Sequence, residues 1–305
     1  MPSKPLEGIR VIDLTRIYAG PYCSMLFADM GAEVIKIEPP EGELIRDNPP
    51  MVKQGEGGPD DRSRSGYFLT LNRNKYGITL NLKHPRAVRI LKDLVKIGDV
   101  VLENYAPGVM KRLGIGYPVL REVNPRIIMC SISGFGQTGP YSERMAFDVV
   151  SQAMGGLMSV TGHPGNPPTR VGTSLGDVNA AVHAAFAIMT VLWHREKTGM
   201  GQYIDVSMLE TMVAILEGAI VRWTIGKEMQ TPIGSMNPHE APMAAFRCKD
   251  GYIIIATVGD DHWQRFCRAV HRPEWAVDPE YRTKHQRWQK KYVLQEEIEK
   301  ITVQF

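Results

Sequence analysis

The segment from Arg10 to Pro40 constrains this chain most. GIRVIDLT (8–15) is a strand-like apolar run, AGPYCSMLFADMGA (19–32) reads as a turn and a helix, and EVIKIEPP (33–40) is a second strand. Pro21 sits in the first turn of that helix, where a missing N–H costs nothing, and Gly31 stops it. Strand, helix and strand at this spacing close as a right-handed parallel crossover. A dinucleotide fold is the first suspicion, but the G-x-G-x-x-G fingerprint is missing. Gly20 is followed by Pro21, with no second glycine close by. Glu38 is read as a strand-end carboxylate, not as a ribose ligand.

The alternation continues. Residues 41–66 are rich in Gly, Pro, Asp and Arg and read as a long excursion or lid. YFLTLNRNKYGITLNL (67–82) reads as two short strand-like pieces about a polar turn. PRAVRILKDLVKIG (85–98) places Val88, Leu91, Leu94 and Val95 at helical spacing and ends on Gly98. DVVLENY (99–105) is a buried strand with a polar tip, short helices follow over 107–115 and 117–125, and RIIMCSISGFG (126–136) is another strand. A helix over 177–197, the strand QYIDVSM (202–208) and the helix LETMVAILEGAIVRW (209–223) complete the series. The pattern predicts a doubly wound, Rossmann-like α/β domain over 1–224, with loops clustered at the strand C-termini. Residues 225–305 predict a linker and a smaller α+β domain. They carry a hairpin turning at Asp250–Gly251 and an amphipathic terminal helix.

Composition narrows the function classes. At 43% hydrophobic and 23% charged the chain is not disordered, and 305 residues are enough for two domains. A net charge of +3 without a long basic run argues against a nucleic-acid binder. No apolar run reaches membrane-spanning length, and the N-terminus MPSKPLEG has no signal-peptide core. Cys23, Cys130, Cys248 and Cys267 are far apart and lack metal-ligand spacing. The expectation is a cytoplasmic protein with no metal, no membrane and no nucleic-acid partner.

Chemistry concentrates in TSLGDVNAAVHAAFAIM (173–189). Asp177 follows a glycine at the head of a small, apolar helical run. Backbone N–H groups at a helix start favour its ionised form, and Gly176 leaves space beside it for another molecule. An ionised carboxylate beside open space is a nucleophile for an acyl group. The competing reading is an ordinary N-cap. Arg16 and the Ala19–Gly20 turn follow the first strand, where ligands sit in open α/β sheets. Asp148, in MAFDVVSQ, either lines the site or makes a buried structural hydrogen bond.

Seven segments resemble, in order, the family III CoA-transferases, the group of formyl-CoA transferase and carnitine CoA-transferase. They are RVIDLTRIYAGPYCSMLFADMGAEVIKIEPP (10–40), LNRNKYGITLNLK (71–83), VLENYAPGVMKRLGIGY (101–117), ISGFGQTGPY (132–141), LGDVNAAVHAA (175–185), LWHREKTGMGQYIDVSM (192–208) and FRCKDGYIIIAT (246–257). The resemblance implies that Asp177 is the catalytic aspartate. It would attack an acyl-CoA thioester and pass through a mixed anhydride and an aspartyl-CoA thioester to a carboxylic acid acceptor. It implies that Lys75, Asn104 and Arg112 contact coenzyme A, which is substrate; no tightly bound cofactor is implied. PIGSMNPHEAP (232–242) matches the family's mobile glycine-rich loop, with Gly234 as its one glycine and Asn237–Pro238 where many relatives carry His–Pro. The resemblance also implies an intertwined homodimer, and further chain beyond the small domain in relatives. Related α-methylacyl-CoA racemases need a histidine where this chain has Phe147, which cannot accept a proton. The alternatives are therefore such an isomerase, or a non-catalytic acyl-CoA-binding protein.

Overall fold

The computed structural model describes residues 4–52 and 64–305. The chain divides into two compact units, Met1–Leu157 with Arg170–Val221, and Met158–Thr169 with Arg222–Phe305. The expected division at 224 treated 1–224 as uninterrupted; here a short excursion, Met158–Thr169, groups with the second unit.

The first unit holds six parallel strands: β1 (Arg10–Asp13), β2 (Glu33–Glu38), β3 (Lys75–Thr79), β4 (Val100–Glu103), β5 (Ile128–Ser133) and β6 (Tyr203–Ser207). Their order is β3-β2-β1-β4-β5-β6, and every neighbouring pair is parallel. This is the doubly wound order in which the winding reverses between the first and fourth strands. Apolar residues follow each other without alternation because both faces are covered. Val11, Val100, Leu102, Ile128 and Cys130 pack with helices α1 (Ala19–Asp29) and α7 (Leu175–Thr198). Ile12, Val101 and Met129 turn to the opposite face, with Leu91 and Val95 of α3 (Pro85–Ile97). Successive side chains pointing to opposite faces produce these two cores.

Between α3 and β5 lie α4 (Val109–Arg112) and α5 (Tyr117–Val123). After β5 comes α6 (Asp148–Met154). Among the described residues α7, with 24 residues, is the one helix long and apolar enough to cross a bilayer, contrary to the expectation that no run reaches that length. Its Ala180, Ala181, Ala184 and Ile188 are buried in the core beside the sheet.

Tyr67–Leu71, expected as a strand, lies in helix α2 (Gly66–Asn72), because the Ser65 hydroxyl accepts the Phe68 N–H at 3.2 Å and caps it. Of the expected excursion at 41–66, residues 53–63 lie outside the described residues. Its flanks form a 3₁₀ turn at Leu44–Asp47 and a two-residue hairpin pairing Met51–Val52 with Arg64–Ser65.

The second unit contains the antiparallel hairpin β7 (Met243–Cys248) and β8 (Gly251–Ala256). The turn is Lys249–Asp250, one residue earlier than expected, since Gly251 already pairs with Cys248. Phe246, Trp263, Cys267, Leu294 and Ile298 form its core, the last two from the terminal helix Lys291–Thr302.

Candidate active site

The crevice opens where the strand order reverses, at the C-terminal tips of β1 and β4. Asn104 bridges the two tips. Its Oδ1 accepts the Arg16 N–H at 2.8 Å, and its Nδ2 donates to the Arg16 carbonyl at 2.8 Å. The Arg16 guanidinium lies 4.5 Å over the Tyr105 ring. Ile17 takes a left-handed φ of 68°, costly for a β-branched residue, and the Glu43 carboxylate accepts its N–H. Gly20 lets α1 approach this loop, since a Cβ there would stand 2.3 Å from Thr15.

A buried ionic network holds the loop from below. Asp13, at the end of β1, accepts the Thr15 N–H at 2.9 Å and the Ser24 hydroxyl at 2.6 Å, and pairs with the Lys75 ammonium at 3.1 Å. Burial opposes its charge, but Lys75, Lys36 and these hydrogen bonds outweigh burial and hold the carboxyl at about 2. Lys36 donates to the Thr15 carbonyl at 2.7 Å and pairs with Glu43 at 2.9 Å. Glu38 takes a two-pronged contact from Arg46, at 2.7 and 2.6 Å.

This network also engages Lys75, which the family motif assigns to coenzyme A. Its three ammonium donors are spent on Asp13, the Pro21 carbonyl (3.0 Å) and Asn72 (2.9 Å), and its side chain is 1% exposed. Arg112 is exposed on α4, whose neighbours Val109 and Leu113 line a cavity of about 430 Å³, but it is not itself in that lining. Gly234 and Asn237 lie in the second unit and shape a turn there. Gly234 has φ 67° and donates to the Gly162 carbonyl at 2.8 Å. Asn237 Oδ1 accepts the His239 and Glu240 N–H groups at 2.8 and 3.0 Å.

Asp177 is the third residue of α7, not its cap. Ser174 holds the N-cap position. No hydrogen bond or ion pair engages the Asp177 carboxyl among the described residues. It lines a pocket of about 180 Å³ together with Arg16, Ala19, Asn104 and Phe147. The space beside Gly176 is not free, as expected from sequence, but filled. A Cβ there would lie 2.2 Å from the Ser151 hydroxyl and 3.2 Å from Asp148 Oδ1. Glycine is needed because α6 packs against the start of α7. Asp148 is buried, with Oδ1 accepting the Gly176 N–H at 2.8 Å and Oδ2 accepting Gln152 Nε2 at 2.8 Å, while Arg170 stands 3.5 Å away. Its hydrogen bonds fix the backbone from which Asp177 projects.

Two influences oppose the ionised state expected for Asp177. Burial, and then the charge of Asp148, raise its carboxyl to about 7. The Tyr18 hydroxyl is raised as well, by burial and then by Asp177. Sequence reasoning missed two further residues of this pocket, Ser133 and Arg144. The Ser133 hydroxyl is buried and without a partner. Strand-end position was the only signal for Ser133, and nothing marked Arg144.

The arrangement offers a carboxyl without a partner among the described residues, two guanidiniums and a pocket that shares Arg16 and Tyr105 with the larger cavity. Comparison with known proteins gives the family. The family model described as CoA-transferase family III matches residues 6–305. A succinyl-CoA:mesaconate CoA-transferase of Haloarcula marismortui is 42% identical over 277 residues, 90% of this chain and 69% of that one. A succinyl-CoA:glutarate CoA-transferase of Mus musculus is 41% identical over 293 residues, 95% of this chain and 65% of that one. The crystal structure of a CAIB/BAIF family protein from Brucella suis superposes with a TM-score of 0.87 at 33% identity, covering 99% of this chain and 79% of that one. The chain, which spans about two thirds of the length of the two curated relatives, belongs to CoA-transferase family III.

Proposed function

We propose that this chain transfers coenzyme A from an acyl-CoA thioester to a carboxylic acid, with Asp177 as the nucleophile. The observation that carries the reading is an unpaired, half-buried carboxyl at the head of α7, facing a pocket at the sheet's switch point. The two relatives act, by their names, on succinyl-CoA with mesaconate or glutarate, so dicarboxylic acids are the substrate class we carry over. The larger cavity would take the body of coenzyme A, with Leu14, Ile37 and Leu113 offering apolar walls and Arg16 a cation at the junction. Arg112, exposed beside that cavity, is a further candidate for a phosphate. Gly234 and Asn237 keep the loop role implied by the family's motif.

An Asp177 oxygen adds to the thioester carbonyl, the C–S bond breaks, and CoA thiolate leaves an acyl-aspartyl anhydride. The thiolate then attacks the Asp177 carbonyl, the donor acid departs as carboxylate, and an aspartyl-CoA thioester remains. The acceptor carboxylate attacks that thioester, re-forming an anhydride and thiolate. Thiolate attack on the acceptor's acyl carbon gives the new acyl-CoA and frees Asp177. Each covalent step replaces one difficult transfer with easier ones.

The nucleophile must be ionised, which sets the pH test. Transfer at limiting donor should rise roughly tenfold per unit below pH 7 and level off above it. Asp148→Asn removes the neighbouring charge while its amide oxygen still accepts the Gly176 N–H. The limb should then move to lower pH, because one of the two causes raising Asp177 is gone. A flat profile from pH 5 to 8 would count against Asp177 as nucleophile. An α-methylacyl-CoA racemase would need a base where Phe147 lines this pocket, and a phenyl ring offers none.

The oligomer we propose is a homodimer. On α7, Val182, Phe186, Met189 and Trp193 recur at helical spacing and are exposed, Phe186 at 74% and Trp193 at 66%. A stripe of that size marks an interface, and twofold closure is the commonest form. Light scattering should give twice the chain mass, and Phe186→Glu with Trp193→Glu should halve it. A wild-type monomer at micromolar concentration would refute the dimer. Cytoplasmic residence fits the four unpaired cysteines.

A further inference from the structure

We propose that Arg144 selects dicarboxylic over monocarboxylic acyl groups by binding the carboxylate remote from the reacting one. The proposal rests on the transfer function assigned above. Arg144 lies on the loop between β5 and α6 and lines the Asp177 pocket. That loop is pinned against the tip of β5, since a Cβ on Gly134 would lie 2.4 Å from the Ala146 Cβ. The Arg144 N–H also closes a turn onto the Tyr141 carbonyl at 2.9 Å. Its guanidinium is laid 4.1 Å over the Tyr141 ring, which stands edge-on to Phe135 at 5.7 Å. The aromatic pair, itself outside the pocket lining, steadies the exposed guanidinium of a residue whose loop lines the pocket.

No carboxylate among the described residues pairs with Arg144. Its sequence neighbour Glu143 is exposed and forms no ion pair with it. The buried Ser133 hydroxyl, without a partner, lines the same pocket. A cation left without a carboxylate partner is what a ligand carboxylate needs.

Charge decides the direction a two-headed acid takes. Its reacting carboxyl must meet Asp177. Asp148 lies behind Asp177 on α6 and repels a second negative group, with Arg170 only partly offsetting it at 3.5 Å. Arg16 lines both the pocket and the larger cavity, where it would face the coenzyme. Arg144 is the cation that remains. The pocket, about 180 Å³, suits an acid of a few carbons.

The test compares succinyl-CoA with butyryl-CoA as donors against one common acceptor, using the full chain. Both acyl groups have the same carbon count, so the ratio of their kcat/KM values reads the remote carboxylate alone. Arg144→Gln should lower the ratio about ten- to a hundredfold, the range of one charge-assisted contact, almost wholly through succinyl-CoA. Arg144→Lys should recover part of the loss. Because the side chain is exposed, both variants should melt like wild type. An unchanged ratio, or an equal fall for both donors, would overturn the role of Arg144 while leaving the transferase reading intact. Wild-type protein that transfers from neither donor would overturn both.

Discussion

Asp177→Ala should abolish CoA transfer, with a fall of several orders of magnitude in kcat, while coenzyme A still binds. The substitution removes the group proposed to carry the covalent intermediates, and losing an essential nucleophile commonly costs that much. Asp177→Asn should be as inactive but more stable than wild type. The carboxyl's value of about 7 lies above its ordinary value of 3.8, so the folded state favours the protonated form. Ionising it therefore costs stability above pH 7. That cost fades as pH falls through 7 and is gone below about 4. The neutral amide avoids it, and at pH 8 the gain should be on the order of 2–4 kcal/mol. Equal melting temperatures at pH 8 would show that Asp177 is not strained by its surroundings.

Asp13→Ala should be among the most destabilising single changes in the chain. It strands the Lys75 ammonium, buried with a 1% exposed side chain, and removes the acceptor that orders Thr15 and Ser24. Breaking a buried pair in this way costs roughly 3–5 kcal/mol. Urea unfolding at pH 7 measures it directly. The pH dependence has the opposite sign to that of Asp177. The folded-state value of about 2 lies below the ordinary 3.8, so the stability is present above about pH 4 and lost as pH falls through 2. Asp29→Ala breaks the more exposed pair with Arg73 and should cost under about 1 kcal/mol.

The contrast between these aspartates shows what the sequence makes legible. The parallel sheet is readable because its strands are continuous apolar runs divided by helical periods, from Val11–Ile12 through Val100–Leu102 to Ile128–Ile132. Arg16 and Asn104 are readable as strand-tip residues, and the switch point brings them together across 88 positions of sequence. Lys75 is not readable in this way. A motif supplies the residue type, but its burial depends on Asp13, 62 residues away. The charge of Asp177 likewise escapes local reading. A helix start favours the ion, yet the burial of its pocket and Asp148, linked to Gly176 across 28 positions, act the other way. The helix at Gly66–Asn72 was hidden for a different reason, since Tyr67, Phe68 and Thr70 favour strands and only the Ser65 cap reverses them. Arg144 had no signature because its position depends on the close approach of Ala146 to Gly134.

The covalent role of Asp177 is the central claim, and peptide mass spectrometry tests it most directly. The protein is incubated with succinyl-CoA and hydroxylamine, without an acceptor acid, then digested. An acyl-aspartyl or aspartyl-CoA intermediate reacts at the Asp177 carbonyl to leave a hydroxamate, and activity falls in step. The account predicts that modification on the peptide containing Asp177, dependent on donor and absent from Asp177→Asn. An unmodified Asp177 in protein that is turning over donor, with the hydroxamate on another residue or on none, would contradict it.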